Sequence, residues 1–117
     1  MRARVVAFGE LEVEGERYPH DVVIDAGRVR KRRKGPSKAF RGEYGHTPLT
    51  AAEELPWGGR VLLIGTGVDG ALPIDPSVEA EARRRGVTIE AAPTDEICER
   101  LADLPAKQVH AVLHATC

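Results

Sequence analysis

The glycine spacing at residues 65–70 is one that can serve phosphate binding. The segment reads Gly-Thr-Gly-Val-Asp-Gly, which fits the pattern G-x-G-x-x-G, and it follows an apolar run that predicts a strand. Pro73 and Pro76 delay the next helix beyond the third glycine, which argues against a dinucleotide site. The loop therefore predicts either a chain reversal at positive φ or a site where backbone N–H groups meet a small anion or polar ligand. The candidate binding residues in this loop are Thr66, Gly67 and Asp69.

Two histidines and a cysteine offer further chemistry. His46 follows a glycine in a predicted loop, where an imidazole can bind a ligand, transfer a proton or form a hydrogen bond that pins the loop. His114 is a ligand-binding candidate near the end of the sequence, and it could also act as base for a Cys117 nucleophile. A zinc site needs three or four converging ligands, and the sequence has no paired C-x-x-C. We therefore predict no metal site and no cofactor.

The positive charge of the chain is concentrated in residues 28–41. This segment has eight of the 17 Lys and Arg residues and no Asp or Glu, so the remainder has 9 basic against 18 acidic residues. Such a segment predicts weak contact with polyanions, nucleic acid included, without recognition of individual bases. A solvated arm, or one that pairs with the acidic remainder, is the favoured alternative. The candidate polyanion-binding residues are Arg28, Arg30, Lys31, Arg32, Arg33 and Lys34.

The first third of the chain predicts antiparallel hairpins. Apolar positions between residues 5 and 24 alternate with the turn sequences Glu14-Gly15 and Asp25-Ala26-Gly27. A further strand from Val29 onward would carry charge on both faces, so it must lie at a sheet edge or project beyond the core. Residues 38–48 predict a loop, and residues 50–55 predict at most one helical turn.

From residue 60 onward the pattern alternates between strand and helix. Residues 61–64 are continuously apolar, which predicts a strand buried on both faces. Asp75 followed by proline predicts a helix that ends at Gly86, and Thr94 predicts the N-cap of a second helix. Three strands alternating with two helices predict parallel pairing through right-handed crossovers. The expected architecture is α/β, with a mixed central sheet, two crossover helices and an N-terminal layer of hairpins.

This architecture would bring the chemically interesting residues to one edge of the sheet. The loop at 65–70, Thr94 and residues 114–117 each follow a predicted parallel strand, and parallel strands end at the same edge. In open α/β sheets, that edge is where ligands bind. Thr94 is therefore a further ligand-binding candidate.

Composition excludes several classes of protein. With 117 residues, 42% hydrophobic and 30% charged, we expect one globular domain over residues 1–117. The run at 61–64 is too short for a transmembrane helix, and the apolar stretch before Gly9 is too short for a secretory signal. We therefore expect a cytoplasmic location, where Cys98 and Cys117 would be free thiols.

Five segments occur along the chain in an order that is typical of one family: FGELEVEGERYPHDVVID, GHTPL, RVLLIGTG, PTDEI and LHATC. In these the chain resembles the Mth-domain family, whose members include an adipogenesis-associated protein and a mitochondrial respiratory complex I assembly factor. The stretch KRRKGPSKAFRGEYGHTPL resembles a prokaryotic branch of that family. The resemblance implies a three-layer fold with a mixed central sheet and a β-rich layer, and it implies no particular reaction or cofactor.

The family resemblance and the lack of a complete catalytic set favour a small soluble binding or assembly-type module, which could bind a protein partner that the sequence does not identify. The first alternative is a small-ligand-binding protein or enzyme that uses the crevice beside the glycine loop. The second alternative is a weak polyanion binder that uses residues 28–41. No membrane insertion is expected, and the oligomeric state is left open.

Overall fold

Eight strands form two β-sheets in the computed structural model, which describes residues 1–117. The smaller sheet is an antiparallel meander of β1 (Ala3–Ala7), β2 (Glu10–Val13) and β3 (Glu16–Tyr18). The larger sheet has five strands: β4 (Val22–Asp25), β5 (Arg28–Lys31), β6 (Val61–Gly65), β7 (Thr88–Ala92) and β8 (His110–Leu113).

The five-stranded sheet is mixed, as predicted. Its order is β5-β4-β8-β6-β7, in which β6 pairs in parallel with β7 and β8, and β4 pairs antiparallel with β5 and β8. The last strand of the chain is thus inserted between an N-terminal hairpin and the parallel strands. The charged strand β5 lies at an edge, which confirms the expectation from its two charged faces.

Three α-helices connect or flank these strands: α1 (Arg41–Tyr44), α2 (Pro76–Arg85) and α3 (Thr94–Leu101). Helix α2 begins as predicted, because the Asp75 carboxylate accepts a hydrogen bond from the Ser77 N–H at 2.9 Å. It ends at Gly86, whose φ of 71° is a left-handed conformation that glycine adopts without strain. No helix combines the length and the apolar character needed to cross a bilayer.

Two local predictions are corrected by the structure. Thr94 is not an N-cap but the first residue of α3, and its hydroxyl bonds the backbone of other segments instead. The expected loop at 38–48 contains a 3-10 helix, Gly35–Phe40, followed by α1. Residues 50–55 hold one hydrogen-bonded turn, in which the Glu53 N–H donates to the Thr50 carbonyl oxygen at 3.3 Å, and this agrees with the prediction of at most one turn. The 3-10 helix forms because Pro36 suits its first turn and because Ser37 is buried against Thr50 at 2.8 Å.

The core consists of two apolar clusters, one on each face of the large sheet. Leu63 on β6 faces a cluster that includes Leu11 of the small sheet and Leu101 of α3. Its neighbours Leu62 and Ile64 face the other cluster, which also includes Val78 of α2. Because successive strand residues point to opposite faces, a continuously apolar strand serves both clusters. The molecule therefore has three layers, with the large sheet in the middle.

Candidate functional site

The loop after β6 binds the end of the chain. The Val68 N–H donates to the Thr116 carbonyl oxygen at 2.7 Å, and the N–H groups of Asp69 and Ala71 donate to the Cys117 oxygen at 3.1 and 2.9 Å. An amide that already donates to a main-chain oxygen of this tail cannot at the same time bind an external anion. The backbone of the glycine loop therefore holds the tail that follows β8, residues 114–117, by hydrogen bonds.

Gly67 and Thr94 fix the glycine loop against the tail. The Thr94 hydroxyl accepts the Gly67 N–H at 2.8 Å and donates to the His114 carbonyl oxygen at 2.8 Å. Thr94 is completely buried, and Gly67 has a φ of 107°. Both residues thus connect the start of α3, the glycine loop and the tail. A ligand-binding role for Thr66, Gly67, Asp69 and Thr94 stays a prediction.

Three charged or titratable side chains lie in a row just beyond the strand ends. In the register of β4 with β5 and β8, the residues one step past the paired ends are Asp21, Arg32 and His114. Arg32 Nη1 donates to Asp21 Oδ2 at 2.9 Å, and His114 Nδ1 lies 2.8 Å from the same oxygen. Asp21 Oδ1 accepts the Ala115 N–H at 2.7 Å. The Asp21 carboxylate thus connects the other two side chains of the row.

Asp21 determines which nitrogen of His114 carries the proton. Burial by itself raises the pKa of Asp21, but the hydrogen bond and charge of His114, the Ala115 amide and Arg32 outweigh it and lower this pKa to about 2. An ionised carboxylate only accepts hydrogen bonds, so Nδ1 of His114 is the protonated nitrogen. Its Nε2 is then an acceptor in the neutral ring, and the Thr116 hydroxyl lies 3.1 Å from it.

Arg32 extends the row into a buried ion pair. Its Nε and Nη2 each donate to a Glu53 oxygen at 2.8 Å, and both side chains are only 1% exposed. The Ser37 hydroxyl donates to the same carboxylate at 2.5 Å. Arg32 therefore offers no charge to an external polyanion. The other five candidates in residues 28–34 stay at least partly exposed.

A second set of contacts positions His46. The Tyr44 hydroxyl donates to Asp75 Oδ1 at 2.6 Å, which ties α1 to the start of α2 and raises the pKa of Tyr44 to about 12. Gly45 ends α1 with a φ of 74°, and Leu49 bonds backbone to backbone with Pro73 at 2.9 Å. His46 is thus held between two anchored points.

A cleft of about 180 Å³ lies between these two regions. Five side chains define what we call the basic cleft: Lys34, Arg41, His46, His114 and Thr116. No aspartate or glutamate is among its lining residues, which also include Arg32 and Cys117. The structure thus brings together two sequence candidates, His46 and His114, which are far apart in the chain.

A second depression of about 290 Å³ adjoins the basic cleft. Lys34, His114 and Thr116 line both, together with Arg32. His114 and Thr116 therefore lie between the two spaces.

The thiols and His110 lie apart from this arrangement. His110 lines a different depression, with Gly59 and Glu90, so it does not converge with His114. Burial, and to a lesser degree the charge of Asp95, raises the pKa of the Cys98 thiol to about 12, so this free thiol is unreactive. The hydrogen bonds of His114 are to Asp21 and Thr116, so its imidazole is not paired with a cysteine.

Sequence reasoning missed Asp21, Arg41 and Thr116 as site residues. Arg41 stands out in the sequence only as part of a charged run, and Thr116 has no distinctive neighbours. Asp21 stands 93 positions from His114, and only the pairing of β4 with β8 brings them together. The one local signal is that Asp21 directly precedes the apolar run of β4, so that its side chain lies at the end of that strand.

Comparison with known proteins identifies relatives along nearly the whole chain. A conserved hypothetical protein of Pyrococcus horikoshii OT3, PH1505, is 28% identical over 100% of both chains, with a TM-score of 0.76. The structure named MT938 is 25% identical over 99% of this chain and 98% of its own, with a TM-score of 0.68. A Bordetella pertussis protein described as a Mth938-like domain is 20% identical over 96% and 85% of the two chains with a TM-score of 0.57, which shows a similar fold. No curated protein matches the chain.

The family described as "Protein of unknown function (DUF498/DUF598)" matches residues 4–114. This match and the Mth938-like structures confirm the family resemblance inferred from the ordered segments of the sequence. The chain therefore belongs to the DUF498/DUF598 family, that of the Mth938-like domain.

Proposed function

We propose that the protein is a binding module that recognises a small anionic group, a phosphate or a carboxylate, in the basic cleft. The observation that supports this most directly is the composition of the cleft wall. Lys34, Arg41 and His46 line the space, and no acidic side chain does. The charged side chains that line the cleft are all cationic, and cationic side chains in a concave site raise the local concentration of anions.

Two cations of the cleft are free to bind a ligand. Neither Lys34 nor Arg41 makes an ion pair, whereas Arg32 is already paired with Asp21 and Glu53. The cleft has a volume of about 180 Å³, which leaves room for a phosphate or a short carboxylic acid. The site therefore fits a small anion or the anionic end of a larger molecule.

Titration with inorganic phosphate at low salt, followed by NMR chemical shifts, tests this proposal. We expect the shifts to concentrate at the basic cleft, and we expect Lys34→Ala and Arg41→Ala each to weaken binding several-fold, up to roughly tenfold. Acetate in place of phosphate distinguishes the two anion classes. Weaker binding in these variants reflects loss of a charge-assisted contact.

The matched control is Lys38→Ala, since Lys38 belongs to the same basic segment, is exposed and does not line the cleft. Its affinity for phosphate should stay within about twofold of the unmodified protein if local contact rather than general charge governs binding. Equal losses in all three variants, or no binding at low salt, would overturn the proposal.

Polyanion binding by residues 28–41 is a second candidate function. Six of the eight cations in the segment make no ion pair; they are Arg28, Arg30, Lys31, Lys34, Lys38 and Arg41. Most of the cations in the segment are thus not paired with an acidic side chain of this chain. This favours contact with phosphates over the alternative of an arm that is fully paired internally.

We expect a labelled DNA duplex to bind with a dissociation constant on the order of 10⁻⁴ to 10⁻⁶ M at physiological salt and without sequence preference. Fluorescence anisotropy at several salt concentrations measures this. The double variant Arg28→Ala, Lys31→Ala should bind more weakly and lose part of the salt dependence, while Lys107→Ala on another surface should not. Sequence-selective binding that survives moderate salt, or no binding at low salt, would contradict the expectation.

Membership in a family of unknown function leaves the assembly-type role expected from the sequence as a prediction. The same holds for the expected cytoplasmic location and the unidentified protein partner.

A further inference from the structure

Asp21, His114 and Thr116 form a continuous chain of hydrogen bonds that ends in the basic cleft. Asp21 Oδ2 lies 2.8 Å from His114 Nδ1, and His114 Nε2 lies 3.1 Å from Thr116 Oγ1. Side-chain exposures of 12% for Asp21 and 16% for His114 keep the pair largely out of solvent. A hydroxyl beside an imidazole that a carboxylate orients is the arrangement that activates a nucleophile.

The direction of the hydrogen bonds follows from the ionised Asp21. Because the proton on Nδ1 of His114 points to the carboxylate, Nε2 in the neutral ring can only accept, and the Thr116 hydroxyl must donate to it. The lone pairs of Thr116 Oγ1 are then left for an incoming electrophile. Thr116 lines both the basic cleft and the adjoining depression, so a small compound has access to it.

The charges around Thr116 favour a phosphoryl group as the electrophile. Phosphoryl transfer spreads negative charge over three oxygens, and enzymes stabilise it by positioning and by cationic side chains. Lys34 and Arg41 are unpaired cations in the same cleft. The amides of the nearby glycine loop, which could otherwise serve a developing oxyanion, are occupied by the tail.

We infer that Thr116 is a phosphoryl-accepting nucleophile, with His114 as its base, Asp21 as the positioning residue for His114, and a small acyl phosphate as the class of donor. This inference rests on the proposed anion-binding function of the basic cleft. Thr116 Oγ1 forms a bond to phosphorus as the bond from phosphorus to the carboxylate leaving group breaks. The hydroxyl proton passes to His114 Nε2 and from there to water, and the carboxylate leaves with the electron pair.

Incubation of the full chain with acetyl phosphate, followed by intact and tandem mass spectrometry, tests the inference. We expect one added phosphoryl group, located on Thr116, and we expect Thr116→Val to abolish it. His114→Gln should slow the transfer at least about a hundredfold, the lower range for a general base. The matched control is Thr88→Val, since Thr88 is an exposed threonine on β7, remote from the cleft.

The variant Asp21→Asn tests whether Asp21 orients the His114 imidazole or only stabilises the fold. An asparagine amide can donate as well as accept, so the proton of His114 should no longer be restricted to Nδ1. We expect ¹⁵N NMR of the imidazole to report a changed tautomer and the transfer rate to fall, while phosphate still binds. A rate and a tautomer unchanged by this substitution would overturn the positioning role of Asp21.

Phosphate titration of the same variants distinguishes this inference from the proposed function. Phosphate binding without phosphorylation of Thr116 would overturn the inference and leave the proposed function standing. No phosphate binding would overturn both. An acetyl group on Thr116, or a phosphoryl group distributed over several exposed residues, would also overturn the inference, since the donor would then react by acyl transfer or without a site.

Discussion

Replacement of Arg32 by alanine is expected to lower the free energy of unfolding by about 3–5 kcal/mol, the usual cost of removing one partner of a buried ion pair. Glu53 would keep its charge in a place where its side chain is only 1% exposed. The Ser37 hydroxyl would remain its one charge-stabilising contact. Asp21 would lose a second favourable charge at 2.9 Å. The loss of stability therefore comes mainly from leaving the Glu53 carboxylate buried and without a cation. It is larger than the net contribution of the Arg32–Glu53 pair to stability.

Chemical denaturation of Arg32→Ala and of the control Arg33→Ala measures this. Arg33 is the next residue, is 71% exposed and lies 3.7 Å from an equally exposed Glu54, so its loss should change stability by less than about 0.5 kcal/mol. Replacing both members of the buried pair, as Arg32→Met with Glu53→Leu, should recover part of the loss, because no charge is then stranded. An Arg32→Ala variant as stable as Arg33→Ala would contradict the structure of this pair.

Replacement of Gly67 by alanine is expected to cost roughly 2–4 kcal/mol, from left-handed backbone strain together with overpacking. Gly67 has a φ of 107°, a conformation that alanine rarely adopts. A Cβ there would come within 2.7 Å of the Thr116 carbonyl oxygen and would also collide with the backbone carbonyl group of Cys117. Backbone atoms cannot turn aside as a side chain can, so the tail must shift.

Thermal denaturation of Gly67→Ala and Gly58→Ala provides the comparison. A Cβ on Gly58 would have its nearest contact at 3.5 Å, to His110 Nε2, and no positive φ is involved. We expect a clear fall in melting temperature for the first variant and little change for the second. Gly67 packs against Thr116 and Cys117, which line the basic cleft. Its variant should therefore also bind phosphate more weakly there. Equal melting temperatures for Gly67→Ala and the unmodified protein would refute the prediction.

Local sequence was sufficient to predict the buried strand at 61–64 and the start of α2. The run at 61–64 is apolar without interruption, and it became a strand with a buried cluster on each face. Asp75 began α2 through a contact with a residue only two positions away. His46 and His114 were identified as candidates, and the predicted edge of the sheet is where they meet.

Thr94 and Gly35–Phe40 mark where local signals failed. A threonine followed by two acids is typical of a helix N-cap, yet the Thr94 hydroxyl is used by Gly67 and His114, which belong to other segments. The 3-10 helix at Gly35–Phe40 depends on the burial of Ser37 against Thr50. In both places a contact across the fold competes with the local preference and prevails.

The sequence by itself determined the strands, the crossover helices and the edge of the sheet at which the glycine loop, Thr94 and the tail meet. Only the tertiary structure decided that β8 would lie beside β4, and hence that Asp21 would join Arg32 on one side and His114 on the other. Strand register depends on how the whole sheet packs, and shifting it by one residue moves every side chain to the opposite face. No single stretch of the chain therefore predicts that Asp21, Arg32 and His114 lie in a row, or that the Thr116 hydroxyl contacts His114.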